Sequence, residues 1–267
     1  MPANNAARLR EPLAAVMREA GEIARATARG PFKRWTKGGD NSPVSEGDIA
    51  VNDFLRARLN VLAPGAGWVS EESDEYLDER AKPLAWIVDP IDGTRAYISG
   101  RADWTISVAL TAEGSPRLAA LYAPVTDEMF MAVRGQGATL NGAPMAASGG
   151  AGLAGARLAG PKRYLDRLAG LNPQIVAQPK VFSLALRLAR VAHGDLDAAF
   201  ASGGSHAWDL AAADLLVHEA GGVMTDFAGR PLCYYRPDAV HDALIAAGPA
   251  RHGTLIDLVR DRMAEFA

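Results

Sequence analysis

The chain has 267 residues, of which 49% are hydrophobic and 22% are charged, ordinary values for a globular protein with a substantial core. The formal net charge is -3 and no basic cluster is present, which argues against a nucleic-acid-binding surface. Cys233 is the single cysteine, no apolar run approaches the roughly 20 residues of a membrane span, and the N-terminus has no signal-peptide core. We therefore predict a cytoplasmic protein with neither a membrane nor a nucleic-acid partner.

The N-terminal part of the sequence predicts two helices, a hairpin and a strand. Apolar residues recur at helical spacing over residues 6–28. Glycine and proline break that pattern in GPFKRWTKGGDNSP (residues 30–43), which predicts a loop or a short hairpin. A second helix is predicted from Ser45 to the following Pro-Gly pair, and Ser45 and Asp48 have the spacing of a capping box. A short strand at residues 68–69 precedes two glutamates.

The stretch AWIVDPIDGT (residues 85–94) begins as a buried strand and ends with two aspartates around a proline. Three strand-like runs follow, TISVALTA, RLAALYAPV and EMFMAVRG, and the polar turns between them predict an antiparallel meander. The glycine- and alanine-rich segment 146–156 predicts a linker or a surface loop. Beyond it, SLALRLARVAHG, AWDLAAADLLVHEAGG and GTLIDLVRDRMAEF predict helices, and VMTDF and ALIAAG predict strands.

This order of elements predicts an α+β fold built in layers, because helices and strands alternate loosely and not in strict βαβ units. We expect two halves within one compact catalytic unit. Residues 1–145 would form an N-terminal α+β half that carries most of the acidic candidate residues. Residues 146–267 would form a C-terminal α/β half that contributes Asp209 and a loop on the substrate side.

Acidic residues stand at the ends of predicted strands or at the start of a predicted helix: Glu71, Glu72, Asp89, Asp92 and Asp209. Carboxylates that converge repel one another unless a cation lies among them. Oxygen ligands without a histidine or cysteine cluster favour a hard ion, with Mg²⁺ first and Mn²⁺ and Ca²⁺ behind it. The five histidines do not have zinc-site spacing. The pattern therefore predicts a magnesium site.

Gly93 and Thr94 follow the two aspartates at the predicted start of a helix. Free backbone N–H groups at a helix N-terminus bind phosphate without a basic side chain. Metal ions beside such a turn favour phosphoryl transfer or phosphate-ester hydrolysis.

Each of these residues also has a purely structural interpretation. Asp89 and Asp92 precede proline and glycine, where aspartate is a common turn residue. Thr94 and Asp209 are suitable helix N-caps, and the paired glutamates are typical of a solvated surface. The functional interpretation depends on the order in which all of them occur, which capping does not require.

Two segments, WIVDPIDGT and WDLAAADLLVHEAGG, closely resemble the two signatures of the inositol monophosphatase superfamily, the lithium-sensitive, Mg²⁺-dependent phosphomonoesterases. SEES and SPVSEGD resemble further family segments, and the resemblance covers roughly residues 5–265. It implies the layered α/β/α/β/α sandwich of the inositol monophosphatase and fructose-1,6-bisphosphatase type, usually as a homodimer. It also implies two or three Mg²⁺ ions, with Mn²⁺ as an alternative and with Li⁺ and Ca²⁺ as inhibitors.

The resemblance implies a role for each matching residue. The metal ligands would be Glu71, Asp89, the carbonyl of Ile91, Asp92 and Asp209. Of these, Asp89 would bridge two ions, and Asp92 and Asp209 would hold the second.

Catalytic and phosphate-binding roles are implied in the same way. Thr94 would orient the attacking water while its hydroxyl is hydrogen-bonded to Asp48, and Glu72 would assist from behind the metal ligands. The backbone N–H groups of Gly93 and Thr94 would bind the phosphate. Attack would be direct and in line, without a covalent intermediate.

The segment FASGGSHAWD departs from the pattern of inositol-selective members, which carry a glutamate about seven residues before the second-motif aspartate. Here that region has Ala201 and Ser202 and no acid. The spacing from Gly194 to Asp209 and the segment YAPVTDEMF are similar to 3'(2'),5'-bisphosphate nucleotidases. We therefore expect hydrolysis of 3'-phosphoadenosine 5'-phosphate to AMP. The alternatives are inositol-1-monophosphatase, then histidinol-phosphatase or fructose-1,6-bisphosphatase, and a non-catalytic regulatory protein on the same fold.

Residues outside the two signatures are candidates for binding this small phosphorylated metabolite. Arg187 falls where those nucleotidases tend to carry a lysine and is a candidate for a second phosphate, with a solvent-facing helix residue as the alternative. Ser205 and His206 are candidates for the substrate pocket. Arg95 and Arg101 would place positive charge near the site, as a doubly phosphorylated substrate prefers, although either also fits a plain surface residue.

Overall fold

The computed structural model describes residues 3–37, 42–73, 82–172, 174–234 and 240–262. In this part of the chain the helices are α1 (Ala3–Arg8), α2 (Arg10–Ala28), α3 (Glu46–Leu62), α4 (Thr94–Ile98), α5 (Lys162–Leu171), α6 (Leu184–His193), α7 (Ala207–Glu219) and α8 (Pro249–Asp261). The strands are β1 (Arg34–Thr36), β2 (Pro43–Ser45), β3 (Gly67–Ser70), β4 (Leu84–Asp92), β5 (Thr105–Ala112), β6 (Ser115–Ala123), β7 (Glu128–Val133), β8 (Ala138–Leu140), β9 (Ala143–Pro144), β10 (Arg157–Ala159), β11 (Val176–Ala177), β12 (Ala198–Ala201), β13 (Ser205–His206), β14 (Val223–Asp226), β15 (Val240–His241) and β16 (Leu244–Ala247).

Strands β3 to β9 form a seven-stranded sheet in chain order. β3 runs parallel to β4, and each later neighbour pair is antiparallel, so that β5, β6 and β7 form the predicted meander. The β4–β5 ladder is regular as far as Asp89 and then shifts register before Asp92. Pro90 lies in this irregular stretch, where its missing N–H costs no ladder hydrogen bond. The shift leaves both aspartates at the end of the sheet.

The second sheet has five strands in the order β11-β10-β12-β16-β14. β10 is parallel to both of its neighbours, and β16 is antiparallel to β12 and β14. Two further pairs, β1–β2 and β13–β15, are short antiparallel ribbons.

Side chains on each sheet alternate between two cores, because successive strand residues point to opposite faces. On β12, Phe200 packs in a core with α5 and α8, whereas Ala199 packs in a central core with α6 and α7. On β4, Ile87 packs in the same central core, and Trp86 packs with α2 and α3. The layers therefore run α2–α3, seven-stranded sheet, α6–α7, five-stranded sheet, α5–α8. This arrangement confirms the predicted α/β/α/β/α sandwich.

The predicted elements match the structure best in the N-terminal part. The helix expected over residues 6–28 is divided at Leu9 into α1 and α2, and the hairpin is present as β1–β2, although residues 38–41 lie outside the described residues. The terminal helix is present as α8, and the last residues of that prediction, from 263, also lie outside the described part. Sequence reasoning missed β10, α5, β11 and β12. β10 (RLA) and β12 (AAFA) are short and lack the β-branched run that indicates a strand.

Strands of the seven-stranded sheet use residues 67–144, and those of the five-stranded sheet use residues 157–247. Because α7 packs against β5 and β6 of the first sheet, the two parts of the chain share a core. The division at residue 145 therefore stays a prediction. Within the described ranges, the structure contains no helix with the length and apolar character needed to cross a membrane.

Candidate metal and phosphate site

Three aspartates meet where β4 ends and α7 begins. Asp89 and Asp92 lie at the carboxyl end of β4, and Asp209 lies in the first turn of α7. Each contributes one carboxylate oxygen to a group whose members lie within 4.8 Å of one another. Asp89 and Asp92 are almost fully buried. The fold therefore brings together three of the predicted metal ligands from two distant segments of the chain.

Asp92 is held by the N-terminus of α6. Ser183 Oγ donates to Asp92 Oδ2 at 2.6 Å, the Ala185 N–H donates to the same oxygen at 2.6 Å, and the Leu184 N–H donates to Oδ1 at 3.2 Å. The first N–H groups of a helix lack intrahelical partners and favour a negative charge. The carboxylate is therefore both oriented and stabilised by α6.

Backbone donors orient the other two aspartates. The Ile91 N–H donates to Asp89 Oδ1 at 3.0 Å, and the His206 N–H donates to Asp209 Oδ2 at 2.6 Å. Each ionised carboxylate accepts up to about four hydrogen bonds or metal contacts. These bonds therefore fix the side chains and leave capacity for a cation.

Thr94 and Asp48 lie beside the aspartate cluster. Thr94 Oγ1 is 3.2 Å from Asp48 Oδ1 and 3.1 Å from the Ile91 carbonyl oxygen, and both accept from its hydroxyl. Asp48 Oδ2 in turn accepts from Ser45 Oγ at 2.6 Å and from the Ser45 N–H at 2.8 Å. This is the predicted capping box at the start of α3. The Thr94–Asp48 contact expected from the sequence is present, while its role in catalysis stays a prediction.

Lys37, which sequence reasoning missed, contacts both glutamates. Its Nζ lies 2.8 Å from Glu72 Oε1 and 3.2 Å from Glu71 Oε1, and it donates to the Glu71 carbonyl oxygen at 3.0 Å. Burial raises the pKa of Glu72 to about 7, and the contact with Lys37 opposes that increase. Burial lowers the pKa of Lys37, but the charges of Glu71 and Glu72 outweigh burial and raise it. A fixed ammonium group thus already compensates part of the negative charge.

Burial and mutual repulsion raise the pKa of the clustered aspartates. Burial is the main cause for Asp89 and Asp209, whose pKa values lie well above the usual range, and neighbouring carboxylates including Asp92 add to it. Burial raises the pKa of Asp92 to about 6. This increase is smaller than burial alone would cause, because Ser183 and the α6 N–H groups favour the charged form. Burial likewise raises the pKa of Asp48 to about 6. The cluster therefore favours binding of a positive charge.

The turn between β4 and α4 depends on Gly93. Its φ is +92°, in the left-handed region that favours glycine. A Cβ at this position would lie 3.1 Å from the Ser183 nitrogen and 3.2 Å from the Asp103 carbonyl oxygen. The glycine therefore lets α6 and the Asp103 backbone approach the turn, and phosphate binding by the N–H groups of residues 93 and 94 stays a prediction.

The donor set fits a hard divalent cation. The clustered groups are the carboxylate oxygens of the three aspartates. Glu71, the other predicted carboxylate ligand, is not part of this cluster, although its charge contributes to raising the pKa of Asp89. Hard oxygen ligands of this kind suit Mg²⁺, Mn²⁺ or Ca²⁺, and a cation would relieve the repulsion that raises the pKa values.

The structure turns Arg187 inward from α6. Its Nη1 donates to the Phe200 carbonyl oxygen at 3.0 Å, and its Nε is buried without a hydrogen-bond partner among the described residues. Burial lowers the pKa of Arg187, while the charge of Asp92 raises it. Arg187 is therefore half-buried and hydrogen-bonded within the protein, not a freely solvated helix residue, and its role toward a second phosphate stays a prediction.

The remaining residues predicted to lie on the substrate side are Ser205, His206, Arg95 and Arg101. Ser205 and His206 are half-buried in β13, and the His206 ring stacks on Trp208 with centroids 4.5 Å apart. Arg95 is exposed at the start of α4, whereas Arg101 pairs with Asp103 at 2.8 Å. Of the two basic candidates after the first motif, Arg101 is therefore already neutralised.

Two residues that sequence reasoning missed contact the predicted site, Lys37 and Ser183. Lys37 lies in the glycine-rich hairpin segment, and Ser183 is the N-cap of α6. A serine just before a helical pattern is a recognisable cap, so Ser183 had a local signal. That its hydroxyl also reaches Asp92 depends on packing between distant segments.

Residues 6–264 match the family model described as the inositol monophosphatase family. The chain belongs to this family. The family is Mg²⁺-dependent, and the aspartate cluster is a site that such an ion fits.

Individual relatives agree with the assignment. The chain is 34% identical over 200 residues to Nus factor SuhB of Escherichia coli K12, over 72% of this chain and 74% of that protein. It is 32% identical over 200 residues, with the same coverage, to inositol-1-monophosphatase of Mesorhizobium japonicum. The crystal structure of extragenic suppressor protein suhB from Bartonella henselae superposes with a TM-score of 0.83 at 27% identity, over 94% of this chain and 97% of that one.

Proposed function

We propose that the protein is a Mg²⁺-dependent phosphomonoesterase that hydrolyses a small phosphorylated metabolite. The observation that carries this proposal is the convergence of Asp89, Asp92 and Asp209, whose oxygens lie within 4.8 Å of one another beside the Gly93 turn. These three residues would hold metal, together with Glu71 and the Ile91 carbonyl. When bound, the ions would supply Lewis-acid activation of water and stabilisation of the leaving oxygen.

The chain's own residues account for phosphate orientation and proton transfer. The N–H groups of Gly93 and Thr94 would hold the phosphate oxygens at the start of α4. The Thr94 hydroxyl, fixed against Asp48, would orient the water that attacks phosphorus. Asp48 has a pKa raised to about 6 by burial and is therefore suited to accept a proton near neutral pH. Glu72 would tune the charge next to the metal ligands through its contact with Lys37.

A bisphosphorylated nucleotide is the substrate we favour. The segment before α7 has no acidic residue at Ala201 or Ser202 to bind the hydroxyl groups of inositol. The inward Arg187, whose Nε has no hydrogen-bond partner among the described residues, offers a donor for a second phosphate. Ser205 and His206 would line the leaving-group side. Because one relative is named inositol-1-monophosphatase, inositol 1-phosphate is the main competing substrate.

A regulatory protein on the same fold is the second candidate. Several relatives, including that of E. coli, are named Nus factor SuhB, which favours a role beyond hydrolysis. Such a protein would not require a complete set of catalytic residues, and here Asp48, Glu71 and Thr94 accompany the aspartate cluster. We propose catalysis in a cytoplasmic homodimer, with a regulatory role as the alternative.

A phosphate-release panel tests the proposal. The substrates are adenosine 3',5'-bisphosphate, inositol 1-phosphate, histidinol phosphate and fructose 1,6-bisphosphate, each with Mg²⁺, with Mn²⁺, and with added Li⁺ or Ca²⁺ as inhibitors. We expect Mg²⁺-dependent release that Asp92→Asn abolishes while the circular dichroism spectrum stays unchanged. Near-normal turnover in that variant would exclude Asp92 as a metal ligand. If none of the substrates is hydrolysed by the wild type, the regulatory alternative is favoured.

Arg187→Ala tests the second-phosphate role. We expect a higher KM for adenosine 3',5'-bisphosphate and a smaller change for inositol 1-phosphate, because only the former has a second phosphate. Arg187→Lys should raise this KM less than Arg187→Ala does, because lysine keeps the positive charge. Equal changes for both substrates would show that Arg187 acts only through the packing of α6.

A further inference from the structure

A cleft of about 640 Å³ lies between the β1–β2 hairpin and α4. Arg34 and Trp35 of β1, Arg95 of α4 and Phe182 before α6 line it. Its volume falls within the range of about 300–1,000 Å³ that small-molecule sites usually have. None of the residues proposed above for catalysis or metal binding is among its lining residues.

The cleft adjoins the metal and phosphate site. Three of its lining residues are direct chain neighbours of residues in that site, and consecutive Cα atoms lie about 3.8 Å apart. These neighbours are Thr36 beside Lys37, Arg95 beside Thr94, and Phe182 beside Ser183. The cleft therefore borders the metal and phosphate site at three points of the chain.

The walls of the cleft are anchored to the core. The Phe32 ring, just before β1, packs on Tyr97 of α4 with centroids 5.6 Å apart. The Tyr97 hydroxyl donates to the Ala24 carbonyl oxygen at 2.7 Å, and the Glu46 N–H donates to the Lys33 carbonyl oxygen at 3.0 Å. These contacts hold the hairpin strands against α3 and α4, so the cleft is largely formed before a ligand binds.

The exposed groups of the cleft are aromatic and cationic. Trp35 is 44% exposed, a large value for an indole. Arg34 and Arg95 are exposed and, among the residues that the structure describes, have no carboxylate partner. Phe182 differs, since Arg101 and Lys180 lie 4.8 and 4.5 Å from its ring centroid. The free stacking surface is therefore that of Trp35, and the free charges are those of the two arginines.

We propose that this cleft binds the nucleoside part of a nucleotide substrate, with the base stacked on Trp35 and with Arg34 and Arg95 beside it. The inference rests on the proposed function, because it assumes a phosphate at the metal site. Nucleobases stack on aromatic side chains and on guanidinium planes, and arginine donates to their acceptor edges. Inositol phosphates and open-chain sugar phosphates have no flat aromatic face, so the cleft would select for nucleotides.

Calorimetry of the full chain with Ca²⁺, which we expect to occupy the metal site and inhibit hydrolysis, tests this assignment without turnover. The probes are AMP and ribose 5-phosphate, which differ only in the base. We expect AMP to bind the wild type roughly tenfold more tightly than ribose 5-phosphate, a typical effect of one stacked base. Trp35→Ala should remove most of this difference while changing ribose 5-phosphate binding little, and Arg95→Ala should reduce it. Trp35→Phe should retain the preference, because it keeps an aromatic face.

Val61→Ala is the matched control, since Val61 is 74% exposed and lies outside the cleft. Equal affinity for the two probes in the wild type, or a preference that survives in Trp35→Ala, would contradict the proposal. A change of molar mass by light scattering in Trp35→Ala would instead identify the cleft as a contact between two copies. Glycerol 2-phosphate hydrolysis, measured in parallel, reports on the phosphatase alone. If the protein hydrolyses glycerol 2-phosphate but does not prefer AMP to ribose 5-phosphate, only the assignment of the cleft is contradicted. If it prefers AMP but hydrolyses no phosphate ester, only the proposed reaction is contradicted.

Discussion

The hydroxyl of Ser183 donates a 2.6 Å hydrogen bond to Asp92, which lies 91 positions earlier in the chain. The Ser183 hydroxyl oxygen also accepts from the Leu186 N–H at 2.9 Å and so caps α6. One side chain therefore begins α6 and also orients a carboxylate at the end of β4. The Ala185 N–H adds a second donor to the same Asp92 oxygen. Formation of α6 and formation of the metal site are in this way coupled.

Ser183→Ala should weaken both the fold and the site. Loss of an N-cap hydroxyl typically costs about 1 kcal/mol of the free energy of unfolding. Because Ser183 also lowers the pKa of Asp92 against the effect of burial, its loss should raise that pKa and weaken Mg²⁺ binding near pH 6. Urea unfolding measures the first effect, and Mg²⁺ titration by calorimetry at pH 6 and pH 8 measures the second.

Ser183→Thr is the control, since it keeps the hydroxyl at the same position. We expect near wild-type Mg²⁺ affinity in that variant. If Ser183→Ala loses stability but binds Mg²⁺ as the wild type does at both pH values, Ser183 is only a helix cap.

Asp89→Asn should stabilise the metal-free protein and abolish its response to Mg²⁺. Burial and the charges of Glu71 and Asp92 raise the pKa of Asp89, so its ionised form is unfavourable when no cation is bound. Removing the charge should raise the metal-free melting temperature by about 3 °C, corresponding to about 1 kcal/mol for a chain of this size. A bound ion stabilises the native state by mass action, and the variant should lose that increment. Thermal unfolding with 10-fold steps of Mg²⁺ measures both effects.

Asp257→Asn, at an exposed position of α8, is the control for loss of one negative charge. It should leave the Mg²⁺ response intact. A wild-type Mg²⁺ response in Asp89→Asn would place the ion elsewhere.

Gly93→Ala should destabilise the protein more than Gly65→Ala. Both glycines have a positive φ, +92° and +80°, for which an L-residue costs about 1–2 kcal/mol. Only at Gly93 would the new Cβ lie 3.1 Å from a backbone nitrogen of Ser183, whereas at Gly65 it meets no atom within 4 Å. The difference between the two free energies of unfolding therefore isolates the crowding at the turn.

Phosphate release by Gly93→Ala and Gly65→Ala separates a local effect at the site from a general loss of stability. Gly65→Ala should retain activity below its melting temperature, and Gly93→Ala should lose most of it. Equal stability losses in the two variants would show that the approach of α6 to the turn tolerates a methyl group.

The sequence predicted the features of the fold that depend on local patterns. Alternating apolar runs predicted the meander, and Ser45 with Asp48 predicted the start of α3. The order of the carboxylates predicted that Asp89 and Asp209 would meet. The contact of Lys37 with Glu72 and that of Ser183 with Asp92 could not be predicted in this way, because each joins segments whose proximity depends on how the layers pack.

His218 makes the stability of α7, the helix that carries Asp209, depend on pH. His218 Nε2 lies 3.1 Å from the buried Asp214 Oδ1, one turn away. The interaction with Asp214 raises the pKa of His218, and burial opposes it without cancelling it. A raised native pKa stabilises the fold fully below the unfolded pKa of about 6.5, and this contribution is lost as the pH rises through the higher native value.

His218→Gln should therefore lower the free energy of unfolding more at pH 6 than at pH 9. Urea unfolding of both proteins at pH 6, 7, 8 and 9 measures the difference, which should shrink as His218 loses its proton. In a background of Asp214→Asn, the same substitution should give a difference that depends little on pH, because the partner charge is absent. A difference that is constant from pH 6 to pH 9 in the wild-type background would show that His218 stabilises α7 by packing, and not through its charge.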